Sequence, residues 1–435
     1  MSAAALNPAS PETSSGATRT ATLFVASVLV QRMGVMVGGF VALHWISPKE
    51  LGAWQFALLF EQLLHITRLG VPNAVIRQVP YLLGQKREAE AVEVFQVGLT
   101  YMLGCAALMA AAIGIAFWAV PDQAMSREAL AALALLAPLN IVVAQLEGVM
   151  RGSRALERLI GINFGTSFLA VALLILPAWG GFTGYLGRLI TLAAWQVIAL
   201  ALLTPVRIHL RWKPSACREL IRIGFPLYVW NYLSSLATNL LPWYIGWFGG
   251  TMMLGLFGPA NSLLAALTLV PAAFSVYIGP TQNFGLGAGE STDALVARLK
   301  RVFLVTAVGT AAVALVAGLL FQVAVDRWLP QFGTITGIVP LIAILGCIRC
   351  YTILQSAIGL FLDRRFIRTN LFFLLGTRIA CIIGLAWIEI QSFDQILTAW
   401  LIVEVAYLVF LWHQLGAYAK DAHRGGRGAP ASGIA

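Results

Sequence analysis

Charge is what this sequence has least of. Of its 435 residues only 11% are Asp, Glu, Lys or Arg, whereas 59% are hydrophobic and the mean hydropathy is +0.82. Soluble domains carry about a quarter of their residues as charges, so water is not the solvent this chain is built for. Cysteine is also sparse. The five (Cys105, Cys217, Cys347, Cys350, Cys381) are scattered, four of them inside apolar stretches, which excludes a disulfide framework. Cys347 and Cys350 have CxxC spacing but lie in an apolar helical run rather than at a strand-to-helix turn, so they read as packing residues and not as a redox or metal pair. No GxxxxGK[ST] phosphate loop is present, which excludes nucleotide hydrolysis by that route. The glycines Gly285, Gly287 and Gly289 follow an apolar run, not a strand, and read as a flexible turn.

What is present is apolar sequence almost end to end. A spanning helix needs about 20 apolar residues, and polar breaks divide the chain into about twelve such stretches. We place them near residues 22–45, 53–76, 91–119, 128–150, 159–177 and 185–205, then 225–247, 253–280, 301–325, 337–361, 369–390 and 396–415. The expected fold class is an all-α polytopic membrane protein. Residues 1–21, rich in Ala, Ser, Thr and Pro, are expected to be a disordered tail. The apolar run after them is long enough to span, unlike the short core of a cleaved signal peptide.

Most of the 29 Lys and Arg residues fall in connections that alternate topology assigns to one side, including Lys86, Arg87, Arg151, Arg154, Arg158, Arg211, Lys213, Arg364 and Arg365. Positive loops are retained in the cytoplasm, so both termini are expected there. The opposite side holds Lys49, Arg127, Arg188 and Arg327. The net charge of +10 is explained by topology and by attraction to membrane lipids, and implies no nucleic acid. The connections on the outer side are short, the longest running over about residues 326–335, which argues against polymerases, ligases and lipid-linked glycosyltransferases.

The longest basic connection, residues 206–224, is expected to be an interfacial linker between a six-helix lobe at 22–205 and another at 225–415, with a basic tail at 416–435. The halves echo each other. Leu51-Gly52 opens the second span as Leu254-Gly255 opens the eighth, and the segments starting at Gly84 and Gly287 align at the same offset, a weak repeat of the kind many transporters show.

Ionisable groups at bilayer depth are costly, so those within spans are the candidate site. Arg32 lies in the first span beside Gly34, Gly38 and Gly39. In the second, Glu61, His65 and Arg68 recur at i, i+4 and i+7 and would share one helix face, either as a site or as a self-satisfied ladder. The seventh span has no acid or base but carries Asn231, Ser234 and Thr238, and the eighth adds Asn261 and Thr268. Such stripes suit sugar hydroxyls or helix packing. Arg349, Arg378 and Glu404 form a third group, for which mutual pairing stands against substrate contact. Glu147 is expected to be neutralised by Arg151 four residues on.

The stretch from Leu51 to Gly84, through Leu69-Gly70-Val71, Ala74, Arg77 and Pro80, resembles the second helix and following loop of Wzx-type polysaccharide flippases, within the MATE-like MOP superfamily. The resemblance implies a V-shaped pair of six-helix lobes in the bacterial inner membrane, with spans 1, 2, 7 and 8 lining a cleft that opens alternately to each side. It implies no enzymatic activity. The implied cargo is a polyprenyl-pyrophosphate-linked oligosaccharide, and the implied partners are a polysaccharide polymerase and glycosyltransferases. Arg32 and Arg68 would hold the pyrophosphate, since a guanidinium binds phosphate bidentately and keeps its charge. No cofactor is expected beyond coupling to a H+ or Na+ gradient, for which Glu61 and His65 are the titratable candidates. A MATE-type exporter of small molecules fits less well, because its cation site would need an acid and spans 1 and 7 have none. A non-transporting scaffold of a polysaccharide-assembly complex is the reading from another class.

Overall fold

A computed structural model of the chain describes residues 14–119, 126–152, 155–206, 208–287, 291–361, 364–389 and 392–424. Every regular element among them is helical. The α-helices are α1 (Ser14–Ala42), α2 (Pro48–Leu64), α3 (Val71–Gly84), α4 (Glu88–Ala119), α5 (Arg127–Gly152), α6 (Leu156–Ala172) and α7 (Ile175–Leu203), followed by α8 (Pro214–Phe248), α9 (Gly250–Gly287), α10 (Thr292–Trp328), α11 (Val339–Ile348), α12 (Thr352–Phe361), α13 (Arg364–Trp387) and α14 (Phe393–Arg424). Nine helices among the described residues are long and apolar enough to cross a membrane.

Several expected boundaries are corrected. The second span is not one helix: it breaks between α2 and α3. The tenth, expected at 337–361, is divided into α11 and α12 by a single 3₁₀ turn, Arg349–Tyr351. Residues 14–21, expected in a disordered tail, are the first turns of α1, and residues 1–13 lie outside the described residues. Residues 214–224, expected in a separate interfacial linker, begin a helix that runs unbroken to Phe248. The expected outer loop at 326–335 is mostly helical, because Phe332 and Ile335 are fully buried and draw it into a 3₁₀ segment, Pro330–Ile338.

Helix contacts divide the chain into two compact units, with the boundary inside α8 between Tyr232 and Leu233. In the first unit, α3, α4, α5 and α7 enclose an apolar core that includes Val71, Val75, Phe95, Val149, Met150 and Leu200. In the second, α9 to α14 bury Ile342, Ile353, Trp400 and Tyr407. The outer surfaces of the spans are apolar. Trp118, Trp179, Trp247, Trp328 and Trp387 are exposed at helix ends that alternate topology assigns to one side, the position an interfacial aromatic belt occupies.

Helix association in lipid depends on close packing, and α1 and α6 show how it is achieved here. A Cβ at Gly34 would lie 2.1 Å from Ser167 Oγ, and one at Gly38 would lie 2.8 Å from Ala170 O. Backbone therefore meets backbone along a GxxxG seam. Polar pairs reinforce it: Ser167 Oγ donates to Val30 O at 3.1 Å, and Asn163 Nδ2 to Ser27 Oγ at 3.0 Å.

Candidate functional site

The break in the second span organises the site. α2 starts on a full capping box, with Ser47 Oγ accepting from Glu50 N and the Glu50 carboxylate accepting from Ser47 N, and Pro48 at the first turn. It ends at Leu64. Residues His65–Arg68 form a 3₁₀ turn, Leu69 has φ 43° and Gly70 has φ 85°, so the chain turns through two left-handed residues before α3 begins. The Gly70-Val71-Pro72 sequence supplies the reason, since a left-handed glycine ends one helix and a proline in the first turn opens the next.

A break at this depth frees carbonyl groups that lipid cannot satisfy. Tyrosines supply the donors. Tyr228 Oη of α8 donates to His65 O at 2.6 Å, Tyr232 Oη to Leu63 O at 3.1 Å, and Tyr101 Oη of α4 to Thr67 O at 2.8 Å. The Tyr228 and Tyr232 rings stack at 5.5 Å. At the turn itself the backbones of α8 and the break touch: a Cβ on Gly224 would stand 2.0 Å from Gly70 O. The break is thus clamped by named contacts.

Glu61, His65 and Arg68 sit at this break, but not on one regular helix face. Glu61 belongs to α2 and is buried, while His65 and Arg68 lie in the 3₁₀ turn. Glu61 Oε1 is 3.6 Å from His65 Nε2, an ion pair only when the imidazole is protonated, and too long for a good hydrogen bond. His65 Nε2 and Arg68 Nε are buried with no hydrogen-bond partner among the described residues. The three side chains are therefore not a self-satisfied ladder.

Arg32 is exposed on α1, within the span Ala26–Trp45, and makes no ion pair or hydrogen bond among the described residues. Gly34 and Gly38 face α6, which leaves Arg32 off that seam. Asn231 on α8 and Asn261 on α9 are likewise exposed at positions deep within helices. Thr238 Oγ1 is turned back onto Ser234 O at 2.9 Å, whereas Ser234 Oγ is buried without a partner among the described residues. Thr268 also bonds its own helix, to Leu264 O at 3.0 Å.

Arg349, Arg378 and Glu404 come together in the second unit. Arg378 Nη2 is 2.9 Å from Glu404 Oε2, and Arg349 Nη2 is 3.4 Å from Glu404 Oε1. Arg378 and Glu404 are buried inside the helix packing and Arg349 is half-buried beside them. Glu147 pairs with Arg151 at 2.6 Å, as expected from its spacing. Cys350 packs against Thr310 Oγ1, and all five cysteines are free.

Sequence reading missed two things. Arg188, expected in an outer connection, is fully buried in α7, where Nε and Nη2 both donate to Ala170 O, at 3.0 and 2.9 Å. Ala170 lies in the last turn of α6, so the cation satisfies an orphan carbonyl and the negative end of the helix dipole. The tyrosine clamp was also unseen, although the Gly70-Val71-Pro72 sequence signals a break that would need donors.

A family model described as "Polysaccharide biosynthesis protein" matches residues 44–274, a stretch running from before α2, through the break, into α9. The chain belongs to this polysaccharide biosynthesis protein family. Solved structures show the same fold. An inward-facing multidrug resistance MATE transporter of the MOP superfamily aligns over 92% of this chain and 96% of its own, at 14% identity and TM-score 0.63. An outward-facing one aligns over the same shares, at 13% identity and TM-score 0.66. A MOP-superfamily transporter from Pyrococcus furiosus, described as having a binding pocket of reverse polarity, aligns over 93% and 96%, at 15% identity and TM-score 0.62. At these identities the likeness is one of fold. No curated protein matches the chain. This member of the polysaccharide biosynthesis family is thus a multi-pass membrane protein with a MATE-like fold.

Proposed function

We propose that the chain is a flippase which moves a polyprenyl-pyrophosphate-linked oligosaccharide across the bacterial inner membrane by alternating access, for O-antigen, capsule or exopolysaccharide synthesis. The observation that carries this reading is Arg32, an exposed guanidinium with no partner among the described residues, within a spanning helix. A bare cation at that depth cannot face hydrocarbon, where a charge is strongly unfavourable. It faces a watery path, and a cation on such a path selects an anion. Membership of the polysaccharide biosynthesis family supports a saccharide-bearing cargo. Arg68 adds a second cation with an unsatisfied Nε, and the exposed amides of Asn231 and Asn261 suit glycan hydroxyls. A polymerase and glycosyltransferases are the partners this role requires, and the basic connections keep both termini in the cytoplasm.

The test is reconstitution. Purified protein in liposomes is expected to move a lipid-linked oligosaccharide between leaflets, and cells lacking the protein to lose surface glycan. Absence of movement, together with unaltered glycan in such cells, would overturn the reading and leave a scaffold role.

For energy coupling we propose the Glu61 and His65 pair. The carboxylate and the imidazole lie 3.6 Å apart at the helix break, and the imidazole Nε2 has no hydrogen-bond partner among the described residues. Glu61→Gln is expected to leave lipid-linked substrate bound but to abolish the response of transport to an imposed pH gradient. An unchanged response in Glu61→Gln would remove this pair from coupling.

A further inference from the structure

In the second unit one carboxylate stands against two guanidinium groups. Glu404 Oε2 accepts from Arg378 Nη2 at 2.9 Å and from Tyr351 Oη at 2.7 Å. Its Oε1 accepts from Trp400 Nε1 at 3.1 Å and lies 3.4 Å from Arg349 Nη2. Both oxygens are engaged, and neither arginine has a second acidic partner among the described residues. The Glu404 and Arg378 side chains are 0% and 1% exposed, and that of Arg349 is 12% exposed. The cluster therefore holds one positive charge too many, in surroundings where an uncompensated ion is strongly destabilising.

The excess is not spread evenly. Arg378 lies over two rings, its Cζ 5.8 Å from Trp400 and 5.6 Å from Tyr407, which partly stabilises that cation. Among the described residues Arg349 has only its long contact to Glu404. Unused donors remain: Arg349 Nε, Arg378 Nε and Nη1, and Thr352 Oγ1 are all buried with no hydrogen-bond partner among the described residues. Thr352 follows Arg349 by one turn, immediately after the 3₁₀ segment Arg349–Tyr351 that divides α11 from α12. Water could satisfy these donors, but it would leave the charge uncompensated.

We propose that this cluster is a binding site for a small monovalent inorganic anion of the chloride class, held by Arg349 with Thr352 and Arg378 and restoring neutrality at the kink. The near-complete burial of Arg378 and Glu404 suits an ion of atomic size. The anion is a fixed part of the second unit.

The test compares thermal unfolding of the purified full-length protein in chloride, bromide or gluconate at constant ionic strength. Chloride and bromide are expected to raise the unfolding midpoint saturably by a few degrees over gluconate, as a ligand of the folded state does. Arg349→Gln, which balances the cluster at one cation and one anion, is expected to lose that rise. A midpoint indifferent to chloride would overturn the proposal in favour of water. The same rise in Arg349→Gln would assign the anion to another cation and overturn it equally. Should Arg349→Gln fail to yield folded protein, anomalous scattering from bromide in crystals of the unaltered protein decides: a peak beside Arg349 supports the site, and a bare cluster sinks it.

Discussion

Replacing Arg32 by alanine is expected to reduce export of surface glycan by about a hundredfold with normal protein level in the membrane. Each charge-assisted hydrogen bond to a phosphate contributes about 1.5–3 kcal/mol, and a bidentate pair therefore contributes about 3 kcal/mol or more. Tenfold in affinity corresponds to about 1.4 kcal/mol, which sets the scale of the loss. Arg32→Lys keeps the charge but not the planar fork and is expected to retain part of the activity. Stability should scarcely change in either variant, because Arg32 is exposed and contacts nothing among the described residues that its removal would leave unpaired. The measurement is surface glycan display alongside membrane-protein quantity. Full display in Arg32→Ala would remove this residue from the substrate path.

Gly224→Val is expected to have the largest effect on folding. A Cβ on Gly224 would lie 2.0 Å from Gly70 O and 2.7 Å from Gly70 C, both backbone atoms, so no side-chain rotation relieves the clash. Gly70 O also accepts from Ala74 N at 3.1 Å, the first backbone bond of α3. Pushing α8 away would loosen that helix start and pull Tyr228 Oη from His65 O, breaking a part-buried hydrogen bond. Overpacking of this kind together with one lost hydrogen bond is expected to cost roughly 3 kcal/mol or more. The readout is the yield of monodisperse protein in detergent and its unfolding midpoint. Gly104→Ala is the control, since a Cβ on Gly104 would meet nothing within 4 Å. Equal behaviour of the two variants would refute the clamp.

The spans of the first unit were readable where a long apolar run is bounded by charge. α4, from Glu88 to Ala119, and α5, from Arg127 to Gly152, lie within a few residues of the expected 91–119 and 128–150. Reading failed where the chain leaves helix inside an apolar run. Residues 53–76 look continuous by hydropathy, yet the backbone is left-handed at Leu69 and Gly70. Nothing in hydropathy distinguishes a carbonyl bonded within its helix from one bonded to a tyrosine 163 residues away, as the carbonyl of His65 is to Tyr228. The fate of each charge was equally hidden. Arg32, Arg188 and Arg378 are the same residue in similar apolar surroundings, yet one is exposed, one caps a helix carbonyl and one pairs with Glu404.

The break between α2 and α3 separates what each level decided. Sequence by itself determined that this is a membrane protein of many spanning helices, because burial of backbone in lipid requires apolar runs of fixed length and those are visible locally. It also marked most of the ionisable residues that lie at depth, Arg188 excepted. Only tertiary structure decided which of those are spent on one another, since pairing depends on contacts between helices far apart in the chain. Glu404 is consumed by Arg349 and Arg378, whereas Arg32 is left exposed. A charge in a membrane helix is structural to the extent that a neighbouring helix supplies its partner, and open to a ligand to the extent that none does.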